Sequence, residues 1–152
     1  MEEGKEIPRE VQEKLLMLQQ LQNEAETIQK RIFEMEVVES ELDKTIETLE
    51  YFDGLENGVD ALMNLGAGVF AYVDVKESKK MLVDVGAGVV IEREVREVVD
   101  ILKKRKEKVE KGKDQYVQLL ERIYSQAQEI QKEIAEISKS QKKIFAVKGK
   151  GM

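Results

Sequence analysis

Cysteine, histidine and tryptophan are absent from this 152-residue chain, and proline occurs once, at Pro8. Without Cys or His there is no disulfide, thiolate nucleophile, Ser-His-Asp or Cys-His relay, zinc site or histidine pH switch. Aromatic residues make up only 5% of the sequence, which points to long helices rather than a packed sphere. No apolar run approaches the roughly 18 residues of a membrane span. The opening Met1-Glu2-Glu3-Gly4-Lys5-Glu6 is acidic where a signal peptide is basic and then apolar. A soluble, cytoplasmic protein is expected, with no membrane partner, metal or cofactor.

Charge is abundant, at 37% of residues and net -6, and it is unevenly placed. Residues 1-60 carry net -11, residues 61-95 net -1 and residues 96-152 net +6. An acidic first arm and a basic last arm invite antiparallel pairing. The expected organisation is a single domain over 1-152, with a first coiled-coil helix over 8-53, two β-hairpins over 61-92 and a second coiled-coil helix over 94-146.

Both arms show heptad spacing. Leu18, Leu21, Ala25, Ile28, Ile32 and Met35 step by three and four, and the stripe resumes after an adjustment near Val38 at Leu42, Ile46 and Leu49. The second arm carries Val95, Val98, Leu102, Arg105, Val109, Gly112, Tyr116, Leu119 and Ile123, then resets through Ala127 to Ile130, Ile134, Ile137, Gln141 and Ile144. Sustained heptads of this kind predict a coiled coil. At 1.5 Å per residue each arm would be about 70 Å long. Pairing Leu49 near Val98 makes partner numbers sum to about 147, which sets the basic run from Lys103 to Lys113 against acidic residues from Glu34 to Glu47.

Between the arms the period changes. Leu65-Gly66-Ala67-Gly68-Val69-Phe70 returns twenty residues later as Val85-Gly86-Ala87-Gly88-Val89-Val90, each copy flanked by β-branched and aromatic residues. Such runs, separated by Lys76-Glu77-Ser78-Lys79-Lys80, predict about four short strands in two hairpins. Glycine is needed there for positive φ. A two-stranded ribbon is marginal alone, so the hairpins are expected to pair with the same segment of other chains. The predicted assembly residues are Leu65, Gly66, Gly68, Val69, Phe70, Val83, Val85, Gly86, Gly88 and Val89.

At the free ends, Ile7, Val11, Leu15, Leu16, Met17 and Leu18 face Ile137, Ile144, Phe145 and Val147. That is more apolar surface than one seam covers. Helix-end packing is the bland account; the sharper one is that Ile7, Val11, Leu15, Leu18, Ile137, Ile144 and Phe145 contact a non-native polypeptide.

Other chemistry is weakly supported. The Gly-x-Gly pairs precede strand-like sequence, whereas a dinucleotide or phosphate site needs a helix to start there. No Walker-type Gly-Lys-Ser/Thr exists, and the carboxylates are scattered over helical faces, so no enzyme activity is expected. The Lys103-Lys113 cluster could hold RNA, but Glu107 and Glu110 interrupt it and the acidic arm faces it. Nucleic acid is therefore not an expected partner.

Helix, two hairpins with paired Gly-Ala-Gly, helix: in these motifs nearly the whole chain resembles the alpha class of archaeal prefoldin. The resemblance implies a hexamer of two alpha and four beta subunits, its hairpins closed into a double β-barrel platform from which coiled coils extend. It implies an α+β fold and an ATP-independent chaperone that captures unfolded proteins at the coil tips and transfers them to a group II chaperonin. A structural scaffold like the filament-forming gamma-type prefoldins, without client transfer, is the alternative.

Overall fold

A computed structural model of the chain describes residues 7–56 and 58–150, with side chains as far as residue 144. The elements run α1 (Arg9–Asp53), β1 (Val59–Gly66), β2 (Val69–Val75), β3 (Lys80–Gly86), β4 (Val89–Glu94) and α2 (Val95–Lys150). This is the α+β arrangement expected: two long helices with two small antiparallel hairpins between them. Helix α1 starts behind Pro8, whose carbonyl accepts the Gln12 N–H at 3.0 Å; a missing proline N–H costs nothing at a helix start. It ends where Gly54 and Leu55 donate back to the Tyr51 and Phe52 carbonyls at 3.2 and 3.1 Å, a tightened last turn.

Contacts divide the chain into two compact units, Met1–Glu34 with Lys113–Met152, and Met35–Gly112. In the first, α1 and α2 pair antiparallel around buried Ala25, Ile28 and Ile123, with Leu21, Ile32, Tyr116 and Leu120 packed on them. Lys14 bridges to Glu133, and the Gln29 amide donates to the Tyr124 hydroxyl. The ammonium of Lys14 is held above the usual lysine range chiefly by its hydrogen bond to Glu133. Arg31 is raised likewise by Tyr116 and Glu34.

The second unit contains the larger core. Ile46 and Leu49 of α1 meet Val95, Val98, Val99 and Leu102 of α2 and Val83 of β3, with Leu42, Met81, Ile91 and Ile101 around them. Each such side chain contributes roughly 1.5–3 kcal/mol when fully buried. Val95 is the most enclosed at 1% exposure, because α2 begins there directly from β4 and its N–H is fixed to the Lys79 carbonyl at 2.8 Å. Ser78, fully buried between the hairpins, donates to the Leu55 carbonyl at 3.3 Å.

Ion pairs in this unit follow the antiparallel order: Lys106 to Asp43 at 2.6 Å, Lys103 to Glu50 at 3.6 Å and Arg96 to Asp53 at 3.1 Å. Their numbers sum to between 149 and 153, a few residues from the expected 147, which Lys14 and Glu133 meet. The hydrogen bond to Asp43 also lifts Lys106 above the ordinary lysine range.

Two seam positions differ from the sequence reading. Val38 is exposed and Glu39 is half-buried in its place, so α1 keeps its alternation of three and four through Met35, Glu39 and Leu42. The step expected at Val38 is carried by a carboxylate, which an apolar-only pattern skips. On α2, Leu119 is exposed while Leu120 packs into the core, because the extra step of four runs from Tyr116 to Leu120, two turns before the step from Ile123 to Ala127 where the sequence reading puts it.

Candidate interaction surfaces

The hairpins form two separate two-stranded sheets, β1-β2 and β3-β4. In the first, Leu62 stands opposite Tyr72 and Asn64 opposite Phe70; in the second, Leu82 faces Glu92 and Asp84 faces Val90. Both registers slip by one residue just before the turn, between Asn64 and Gly66 and between Asp84 and Gly86. A slip of this kind is a β-bulge, which strengthens local twist.

The turns are copies of one another. After Gly66, Ala67 has φ 51° and Gly68 φ 79°; after Gly86, Ala87 has φ 52° and Gly88 φ 75°. Two successive positive φ values make the type I′ turn that matches strand twist, whose first position favours Asn, Asp or Gly. An L-residue in this left-handed region costs about 1–2 kcal/mol, so both alanines are strained. At Gly66 and Gly86, φ is 97° and 110°, and a Cβ built on either meets nothing within 4 Å. Conformation rather than space therefore requires glycine. Each turn is braced locally: Asn64 Oδ1 accepts the Gly66 N–H and Asp84 Oδ1 the Gly86 N–H, both at 2.8 Å.

The two hairpins differ in what covers them. Val83, Met81 and Ile91 set one face of β3-β4 on the helices, and the Arg105 guanidinium donates to the Asp84 carbonyl. Neither core includes a residue of β1-β2. Its outward face of Leu62, Phe70 and Tyr72 is open, with Tyr72 92% exposed. On β3-β4 the open residues are Leu82, Val85, Val89 and Val90.

Of the sequence-predicted assembly residues, Leu65, Val69, Phe70, Val85 and Val89 are exposed near the turns. Gly66, Gly68, Gly86 and Gly88 form the turns, and Val83 is turned into the chain's own core. Leu62, Tyr72, Leu82 and Val90 were not among those residues. Period-two alternation groups them on one face of each strand, but only the packing of the other face leaves that face open.

At the ends of the first unit, Ile7, Leu15, Leu16, Met17 and Ile144 are exposed. Leu18 and Ile137 are half-buried and Val11 is buried, while Phe145 lies outside the residues whose side chains are described. Among the described residues there is no acidic cluster able to hold a metal ion and no helix long and apolar enough to cross a membrane.

Paired heptad helices with apolar β-hairpins between them define a coiled-coil protein that exposes a small β surface. A family model described as "Prefoldin subunit" matches residues 9–140, and the chain belongs to the prefoldin family, a family of chaperones. It is 55% identical to a prefoldin subunit alpha of Archaeoglobus fulgidus over 127 residues, covering 84% of this chain and 93% of that protein. A prefoldin subunit alpha of Thermofilum pendens is 29% identical over 110 residues, 72% of this chain and 85% of that one. Among solved structures, filamentous prefoldin from Methanocaldococcus jannaschii superposes with a TM-score of 0.65 at 18% identity, covering 74% of this chain and 93% of that one. That likeness concerns the fold.

Proposed function

We propose that the chain is an alpha-type prefoldin subunit that joins other subunits through its hairpins and holds non-native polypeptides at its helix ends without nucleotide. The supporting observation is the open apolar face of Leu62, Phe70 and Tyr72 on a ribbon too small to be stable alone. Exposed Ile7, Leu15, Leu16 and Met17 supply flexible apolar contacts suited to many weak attachments. The partner proposed is a beta-type prefoldin subunit in a two-alpha, four-beta hexamer, and the receiver of the client a group II chaperonin, both in the cytoplasm. Mixing the chain and a beta-type subunit with a chemically denatured, aggregation-prone protein should suppress light scattering without ATP. Unchanged scattering would refute the reading.

A second reading, a structural filament without client transfer, draws on the filamentous prefoldin whose fold this chain shares. Electron microscopy of the chain, alone and mixed with a beta-type subunit, separates the two. Long filaments support the scaffold, and discrete particles formed only with the second subunit support the chaperone.

A further inference from the structure

The two alanines at the hairpin turns are in the wrong conformation for alanine. Ala67 and Ala87 share φ values of 51° and 52° at the turn position where Asn, Asp or Gly sits without strain. Both are exposed in the isolated chain, so nothing within the chain repays the strain. Substituting Ala for Gly gains unfolded-state entropy only where φ is compatible, and here it is not. Nor does the sequence avoid Asn-Gly as such, since the pair occurs at positions 57 and 58. Strain kept at two copies of one position implies a constraint from outside the chain.

We infer that the Ala67 and Ala87 methyl groups are seated in apolar contacts with a β-hairpin of a neighbouring prefoldin subunit, one hairpin at each turn. This deepens the assembly proposed above and rests on it. The exposed apolar side chains flanking each turn are Leu65 and Val69 at one and Val85 and Val89 at the other, while Asn64 and Asp84 are engaged by the Gly66 and Gly86 amides. The occupant is a sheet because these ribbons have unpaired strand edges beside apolar surface, and another strand pair satisfies both at once. In such a socket an asparagine amide would be stripped of water without a partner, which makes the locally preferred residue the globally worse one. Because the same turn conformation occurs twice, one chain offers two such seats.

The test uses the full chain carrying A67N/A87N or A67G/A87G, with L62E/Y72E as a control on the open face. Each is followed by thermal unfolding alone and by native mass spectrometry and sedimentation against a beta-type prefoldin subunit. The Asn pair should unfold at or above the parent's temperature while assembling at least about tenfold more weakly, the loss expected for a desolvated amide. The Gly pair should lose less. Assembly of the Asn pair within about twofold of the parent overturns the inference, as does a lowered unfolding temperature, which would remove the premise of strain. Should the Asn pair assemble normally while L62E/Y72E does not, the assembly reading stands and this inference falls. Weakened client capture with unchanged assembly would make the occupant a non-native polypeptide and also overturn it. Failure of the parent to associate with itself or the second subunit sinks both.

Discussion

Gly112 of α2 faces Met35 of α1, and a Cβ added at Gly112 would stand 3.3 Å from the Met35 methyl carbon. Glycine inside a helix costs about 1 kcal/mol relative to alanine, and the atom it would meet is the free end of a flexible side chain. Gly112→Ala should therefore stabilise the helices by a fraction of about 1 kcal/mol, seen as a higher urea midpoint. Gly112→Leu should lower it, because the longer side chain cannot be cleared by moving one methyl.

Leu102 is buried among Ile46, Leu49 and Val98. Leu102→Ala should cost about 2–5 kcal/mol in equilibrium unfolding. Leu119→Ala, on the exposed side of the same helix, should stay within about 0.5 kcal/mol. Equal effects would mean that the seam runs through Leu119 after all.

The bridges of Lys14 to Glu133 and Lys106 to Asp43 hold both ammonium groups above the usual lysine range. A raised folded-state value means that the stabilisation is complete below the unfolded lysine value and is lost as pH rises through the raised one. Stability should be flat with respect to these groups near neutrality and decline in strong alkali. K14Q/K106Q should make the alkaline decline shallower, measured by circular dichroism across pH at constant salt.

Gly66→Val and Gly86→Val place a β-branched residue at φ 97° and 110°. They should disrupt the turns and prevent subunit association while leaving most helical circular dichroism intact, since α1 and α2 supply 45 and 56 residues of helix. Association at parental strength would refute the role given to the hairpins.

L15S/L16S/M17S should spare association and weaken capture of a denatured client severalfold in the light-scattering assay, since exposed apolar contacts are removed without opening a core. A loss of assembly instead would assign these residues to the wrong end of the chain's work.

Much of this architecture was legible in the sequence because heptad spacing and strand alternation are local patterns that survive any placement in space. Leu42, Ile46, Leu49, Val95, Val98 and Leu102 could be named as seam residues on spacing alone, and the repeated Gly-Ala-Gly marked both turns. Glu39 escaped because a carboxylate does not register in an apolar pattern. Leu119 was preferred to Leu120 because adjacent leucines carry equal hydrophobic weight, and only the facing helix decides which points inward. Tyr72 and Leu82 were missed as open positions because alternation separates two faces without saying which is covered.

By itself, then, the sequence determined the order of elements and the positive-φ turns, which follow from residues close together in the chain, and, through the unlike net charge of its two arms, their antiparallel pairing. The tertiary structure decided which hairpin is spent on the core. Both ribbons have nearly the same local pattern, yet only β3-β4 runs straight into α2, with Val95 N–H bound to the Lys79 carbonyl. That connection presses Val83 against Ile46, Leu49 and Leu102, while β1-β2, entered through Gly58, keeps Leu62, Phe70 and Tyr72 in the open. Burial depends on where chain connections bring a surface, and no local repeat encodes that.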